Sequence, residues 1–210
     1  MKVLSNILSI LFVTVSTTAI AQQDWKLVQE ADNMTAYHRS ISAGVYEAKP
    51  TAVLKAMPQD LAQLFMDVSR YPEWLAGCTQ AEIVRTNNDG SMTVHFILAT
   101  AHLGANQDIV ANVVFSKNES GSVGKFTSTP DAMPVQAGIT RVQNFTGFFA
   151  VRQENLEQCK ISLQTTLDLG AAATDAVTTA MMERSGLSSI DTFRKMFGET
   201  LAKAVPAVAK

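Results

Sequence analysis

The chain has 210 residues, of which 47% are hydrophobic and 17% charged, with a formal net charge of −2. That apolar fraction with so little net charge excludes a disordered chain, and the lack of a basic surplus excludes a general nucleic-acid binder, which needs cations to displace counterions from phosphates. The length allows one domain or two small ones, and the charged fraction lies below the ~25% of an average soluble protein.

Met1-Lys2-Val3 forms a short positive segment, Ile7–Val15 an apolar run, and Ala19-Ile20-Ala21 a small-residue cleavage site before Gln22. This order predicts a secretory signal peptide over residues 1–21 and a periplasmic or secreted product. The apolar run is about half the ~20 residues needed to span a bilayer, which argues against a permanent anchor. No cysteine follows the cleavage site, so a lipid-modified N-terminus is not expected. The only two cysteines, Cys78 and Cys159, admit one disulfide or two buried thiols, and nothing in the sequence pairs them.

Asp24 to Val28 reads as a short lead-in helix or turn carrying Trp25. Met34–Arg39 and Tyr46–Lys55 read as strands joined by a turn at Ser42-Ala43-Gly44, and Pro50 points to an edge strand or a bulge. Pro58 suits the first position of a helix whose apolar residues Leu61, Leu64, Phe65 and Val68 follow at helical spacing. Tyr71-Pro72-Glu73-Trp74 stops that helix and begins a short turn, because the residue before proline avoids the α region. Trp74 is expected to pack the short helices against a sheet.

Strands dominate from Cys78 onward. Glu82–Thr86 leads into Asn87-Asn88-Asp89-Gly90, a hairpin signal. Met92, Val94, Phe96 and Leu98 share one face of the return strand, and Ile109, Ala111, Val113 and Phe115 share one face of the next. After a turn at Asn118–Ser122 come a strand over Val123–Thr129 and a longer connection over Pro130–Gly138. Thr140–Arg152 reads as one long strand with a bulge at Gly147. Cys159–Leu169 alternates with Ile161, Leu163, Thr165, Leu167 and Leu169 on one face. A helix is predicted over Ala172–Val205, with a kink or change of apolar face at Arg184-Ser185-Gly186.

The order is α+β: strands, two short helices, a run of antiparallel strands, and one long C-terminal helix. An antiparallel sheet must cover its apolar face, and only that last helix is long enough to do so. A curved sheet wrapped around it would enclose an apolar cavity. The expected organisation is a signal peptide over 1–21, one ligand-binding domain over 22–205, and a tail over 206–210.

Several motifs carry a resemblance. Asp67-Val68-(x2)-Tyr71-Pro72-Glu73-Trp74 followed by Cys78 resembles the helix signature of START lipid-transfer domains, members of the wider helix-grip group. Gln107-Asp108-Ile109-Val110 stands where many members carry Arg-Asp-x-Val. Arg141-Val142-(x4)-Gly147-Phe148 and Asp168-Leu169-Gly170 resemble further family segments, and together these motifs span about Asp24 to Phe197. The resemblance implies a helix-grip fold and a lipid or other hydrophobic ligand. Two departures matter: Gln107 replaces the usual Arg, and the buried carboxylate–Arg pair of sterol carriers falls on Phe96 and Val113, both apolar. A sterol hydroxyl would lose its charged partner.

The sequence holds no G-x-S-x-G, H-E-x-x-H or C-x-x-C pattern, and His38, His95 and His102 lie in or beside three different segments. No metal or cofactor is implied. The inward faces assign the cavity lining to Phe96, Leu98, Gln107, Ile109, Val113, Leu163, Thr165 and Met181, with Arg141 as a candidate headgroup contact. Asp108 is the second polar candidate for steering a headgroup by charge-assisted hydrogen bonds, although its alternation with Ile109 favours an outward ion pair or a solvated group. Aromatics such as Phe115, Phe148 and Phe149 serve as core, as lining, or as both. A lid is expected at the Pro130–Gly138 loop, including Met133 and Pro134, and at Gly186. The resulting expectation is a monomeric, non-enzymatic carrier of a hydrophobic small molecule that touches membranes transiently. The alternatives are a cyclase/dehydrase-like enzyme using Asp108, His95 or Arg141 as acid–base groups, and a protein-binding factor of the cell envelope.

Overall fold

The period-two alternation of apolar residues becomes one ten-stranded sheet in a computed structural model that describes residues 24–31, 33–100, 105–118, 121–170 and 188–198. The strands are β1 (Lys26–Ala31), β2 (Met34–Ser42), β3 (Val45–Leu54), β4 (Cys78–Thr86), β5 (Met92–Leu98), β6 (Asn106–Asn118), β7 (Gly121–Ser128), β8 (Ile139–Arg141), β9 (Phe145–Gln153) and β10 (Cys159–Asp168). Nine of them run in the order β1-β2-β3-β10-β9-β7-β6-β5-β4, all antiparallel, with β1 and β4 as the edges among the described residues. The tenth, β8, lies off this path and pairs with β6 in parallel.

The first departure from expectation is β1. Asp24 to Val28 forms no helix; Lys26 to Ala31 pair with His38 to Met34 of β2, and the Arg39 guanidinium sits 4.6 Å over the Trp25 ring. The second is Pro50, which sits in an interior strand. It faces Ala36 of β2 without a register shift, while on the β10 side Lys49 and Pro50 have no partner in the ladder. A residue without an N–H is tolerated where the ladder already lapses. The third is the segment 140–152. It divides into β8 and β9 around Val142–Asn144, and the Val142 N–H bonds the Asp108 carbonyl at 2.9 Å. Gly147 is no bulge, since it stays in register with Phe126 and Thr165. Its reason is space: a Cβ there would lie 3.0 Å from the Phe145 ring and 3.2 Å from Phe126.

Helix α1 (Pro58–Met66) begins with Pro58 in its first turn and Asp60 near the positive end of the helix dipole. It buries Leu61, Ala62, Leu64 and Phe65 against β7 and β9. A 3-10 turn (Val68–Arg70) and α2 (Tyr71–Trp74) follow and pack on β4. Of the helix expected over 172–205, residues 188–193 are α-helical and Arg194–Gly198 continue as a π-turn. The remainder, including the change of face at 184–186, lies outside the described residues. Ile190 and Phe193 are fully buried, and the Ser189 hydroxyl accepts from the Ala76 N–H at 3.1 Å, which fastens this helix beside α2.

The core is an aromatic cluster between these helices and the inner face of the sheet. Phe65 stacks on Phe149 with centroids 3.8 Å apart and meets Trp74 edge-on at 4.8 Å; Phe193 lies 5.2 Å from Trp74. Burying one such side chain contributes about 1.5–3 kcal/mol.

Candidate functional site

A cavity of about 130 Å³ lies in that cluster. Its sheet wall comes from five adjacent strands: Phe96 and Leu98 of β5, Ile109 of β6, Phe126 of β7, Phe145, Gly147, Phe148 and Phe149 of β9, and Leu163, Thr165 and Leu167 of β10. For side chains of β5 and β10 to reach one space across three intervening strands, the sheet must bend around it. Phe65 of α1 and Tyr71, Trp74, Leu75 and Ala76 of the α2 region complete the wall. Among the described residues no charged side chain lines it.

Phe96, Leu98, Ile109, Leu163 and Thr165 thus lie on the wall, where strand parity put them. Val113 is fully buried in the core but off the wall, and Gln107 is buried with an inward position beyond it. Met181 and Gly186, like His102, lie outside the described residues.

Arg141 is the clear correction. It does not reach the cavity but lies on the other face of the sheet, where its Nε and Nη2 donate to the two Asp108 carboxylate oxygens at 2.8 Å each. Both side chains are buried. Arg141 also donates to the carbonyls of Pro130, Met133 (3.0 Å) and Pro134 (3.3 Å). Met133 and Pro134 are therefore fastened over the outer face and do not line the cavity as a lid would. The physical reason is β8. Its parallel pairing sets Arg141 beside Asp108, on the side away from Ile109.

His95 extends this group. It is fully buried, with Nε2 3.0 Å from Asp108 and Nδ1 3.2 Å from Glu82 on the edge strand β4. Burial by itself would raise the Asp108 pKa, but the hydrogen bonds and charge of Arg141, with His95 behind them, hold it below the usual carboxylate range. A second outward carboxylate, Glu47, accepts hydrogen bonds from Arg39 at 2.7 Å and from Gln164 at 2.5 Å. The acid–base candidates Asp108, His95 and Arg141 are thus bonded to one another and absent from the wall. Among the described residues, no group of three His, Cys, Asp or Glu side chains could hold a metal ion.

Cys78 and Cys159 are two separate buried thiols, with no disulfide between them. Burial pushes each up to about 11, and at Cys78 a hydrogen bond to the Gln80 carbonyl offsets this only in part. Burial likewise raises the Tyr71 phenol, whose hydroxyl donates to the Phe65 carbonyl at 3.0 Å. The feature that sequence reasoning missed is Trp74. Its ring packs as expected, but it also forms part of the wall, and its indole Nε1 is buried with no acceptor among the described residues. No sequence signal marks an unpartnered atom; only the packed structure does.

An open antiparallel sheet with helices over one face and an apolar pocket between them is the helix-grip architecture. The chain belongs to the START domain family, whose model matches residues 12–203. Among solved structures, the STAR-related lipid transfer protein of Xanthomonas axonopodis is similar at 16% identity and a TM-score of 0.70, covering 82% of this chain and 97% of that one. Human StAR-related lipid transfer protein 5 is similar at 16% identity and a TM-score of 0.72, covering 88% of this chain and 89% of that one. The Zhui aromatase/cyclase of a Streptomyces species shares the fold at 13% identity and a TM-score of 0.53, covering 79% of this chain and 99% of that one. No curated protein matches the sequence significantly.

Proposed function

We propose that this chain is an exported carrier that holds one lipid or other hydrophobic small molecule between the sheet and the C-terminal helix. The observation that carries the reading is the wall itself, five strands and two helices whose described lining residues are aromatic and aliphatic with one threonine and no charge, facing an unfilled space. Membership of the START family and likeness to two lipid transfer proteins support it. The mechanism is shielding, with each buried methylene contributing roughly 0.8 kcal/mol. Ten methylenes give about 8 kcal/mol, against an association cost of similar size, so binding is moderate and exchange reversible.

The cavity volume sets a condition on this mechanism. An apolar cavity of about 150 Å³ admits benzene, whereas sites for drug-sized ligands hold about 300–1,000 Å³. A space of about 130 Å³ accepts a ring or a short length of acyl chain, so taking up a whole lipid requires the helical cover to move away from the sheet. The carrier acts as a monomer and meets the membrane only while loading and unloading.

Native mass spectrometry of the protein recovered from its exported fraction tests the reading. The expected result is a polypeptide beginning at Gln22 with one apolar adduct, and uptake of labelled lipid from vesicles. A chain without adduct or uptake overturns the carrier. The likeness to an aromatase/cyclase favours a second reading, catalysis in the same cavity. Against it, Asp108, His95 and Arg141 are engaged with one another on the opposite face.

A further inference from the structure

Buried indole N–H groups find acceptors in folded proteins, because leaving a donor unpaired costs its full desolvation. Trp74 departs from this rule. The residue is only 6% exposed, its Nε1 has no acceptor among the described residues, and its ring lies on the cavity wall. The other tyrosine or tryptophan on the wall, Tyr71, has its hydroxyl committed to the Phe65 carbonyl. Water is a poor partner for Trp74, since a buried water needs two to four polar contacts and an apolar cavity of this size stays dry. The missing acceptor is thus one that an apolar occupant would bring with it.

We propose that Trp74 is the polar anchor of the cavity: its indole N–H donates to an oxygen acceptor on a neutral, otherwise apolar ligand. The inference rests on the carrier reading and sharpens it to a substrate class. Among the described residues the wall carries no charge, which favours a ligand whose buried part is neutral, since an unpaired charge against them would be strongly penalised. The orphan donor favours a carbonyl, ether or hydroxyl oxygen over plain hydrocarbon. Trp74 also sits where α2 meets the C-terminal helix, 5.2 Å from Phe193, so a bound oxygen would tie the ligand to the cover side of the cavity and not to the sheet.

Cyclohexanone and methylenecyclohexane, rings of the same shape with C=O in one and C=CH2 in the other, separate this idea from mere packing. Both fit the class of space available and are added to the exported protein. The expected result is that Trp74→Phe weakens cyclohexanone about tenfold, as the loss of one hydrogen bond in a dry site would, and changes methylenecyclohexane by less than twofold. An NMR readout needs no variant to fold. Of the two tryptophan indole N–H signals, the one whose ring shows nuclear Overhauser contacts to Phe65 and Phe193 in the wild-type protein should move downfield with cyclohexanone and not with methylenecyclohexane. If both probes bind, Trp74→Phe weakens both equally and the indole signal ignores the carbonyl, the anchor is overturned and the carrier stands. If neither probe binds the wild-type protein, the cavity reading falls and the anchor with it.

Discussion

Arg141→Met isolates the fastening on the outer face. Asp108 is fully buried and receives two charge-assisted hydrogen bonds of 2.8 Å from Arg141. Methionine keeps much of the side-chain volume and none of the donors, leaving the carboxylate with His95 alone at 3.0 Å. Removing one partner of such a pair costs about 3–5 kcal/mol, because a buried charge is left uncompensated. The exposed Pro134 carbonyl can turn to water and adds little. The expected loss is about 4 kcal/mol from a domain whose total is about 5–15 kcal/mol. With an m value of about 2 kcal/mol/M, the urea midpoint followed by circular dichroism should fall by about 2 M. Asp108→Asn combined with Arg141→Met removes the stranded charge while keeping a partner for His95, and should recover most of that loss. Because the pair is off the wall, the folded single variant should bind an apolar probe within about twofold of wild type. A midpoint shift below about 0.5 M, or a double variant no more stable than the single one, would refute the reasoning.

The same carboxylate sets a pH dependence. Its folded pKa is lowered, so its contribution is complete above the unfolded value of about 3.9 and is lost as pH falls through the folded one. The stability gap between wild type and Asp108→Asn should therefore narrow below about pH 4, which urea titrations at a series of pH values will show. With both thiols pushed up to about 11, roughly one in a thousand is ionised at pH 8. Ellman's reagent should leave the native chain untouched and titrate two thiols once guanidinium unfolds it; none after unfolding without reductant would mean a disulfide. Gly124→Ala would set a Cβ 2.2 Å from the Phe149 ring, which is itself stacked on Phe65. Displacing that ring should cost about 2 kcal/mol and lower the Tm by about 6 °C, and an unchanged Tm would show that the ring gives way freely.

The wall was readable from the sequence because it depends on local alternation. Val94, Phe96 and Leu98 on one strand and Ile109, Ala111 and Val113 on the next must face the same way whatever the sheet order, so parity alone found the inner surface. Pro58 with Leu61, Leu64 and Phe65 marked α1 for an equally local reason. The outer-face network was not readable. Asp108, His95 and Arg141 are separated by 13 and 33 positions, and an outward position on a strand reads as solvent-exposed until something covers it. What covers these residues is the Pro130–Pro134 segment, held by Arg141 of the short strand β8, and the break at Val142–Asn144 that sets β8 apart carries no Gly or Pro to mark it in the sequence. Arg141 was accordingly assigned to the cavity, when the parallel pairing of β8 carries it to the other side. Trp25 misled in a different way: a short segment of mixed polarity takes its strand form from pairing with β2, which local residues do not encode.

The division of labour across the thickness of this sheet has a consequence for how such a protein changes over time. Every buried ionic or hydrogen-bonded link among Asp108, Arg141, His95, Glu47 and Arg39 is made on one side, and the apolar cavity lies on the other. Substitutions that reshape the pocket need not disturb the rivets that hold the strands in place. A lineage built on this plan can alter the pocket in single steps while the scaffold stays intact.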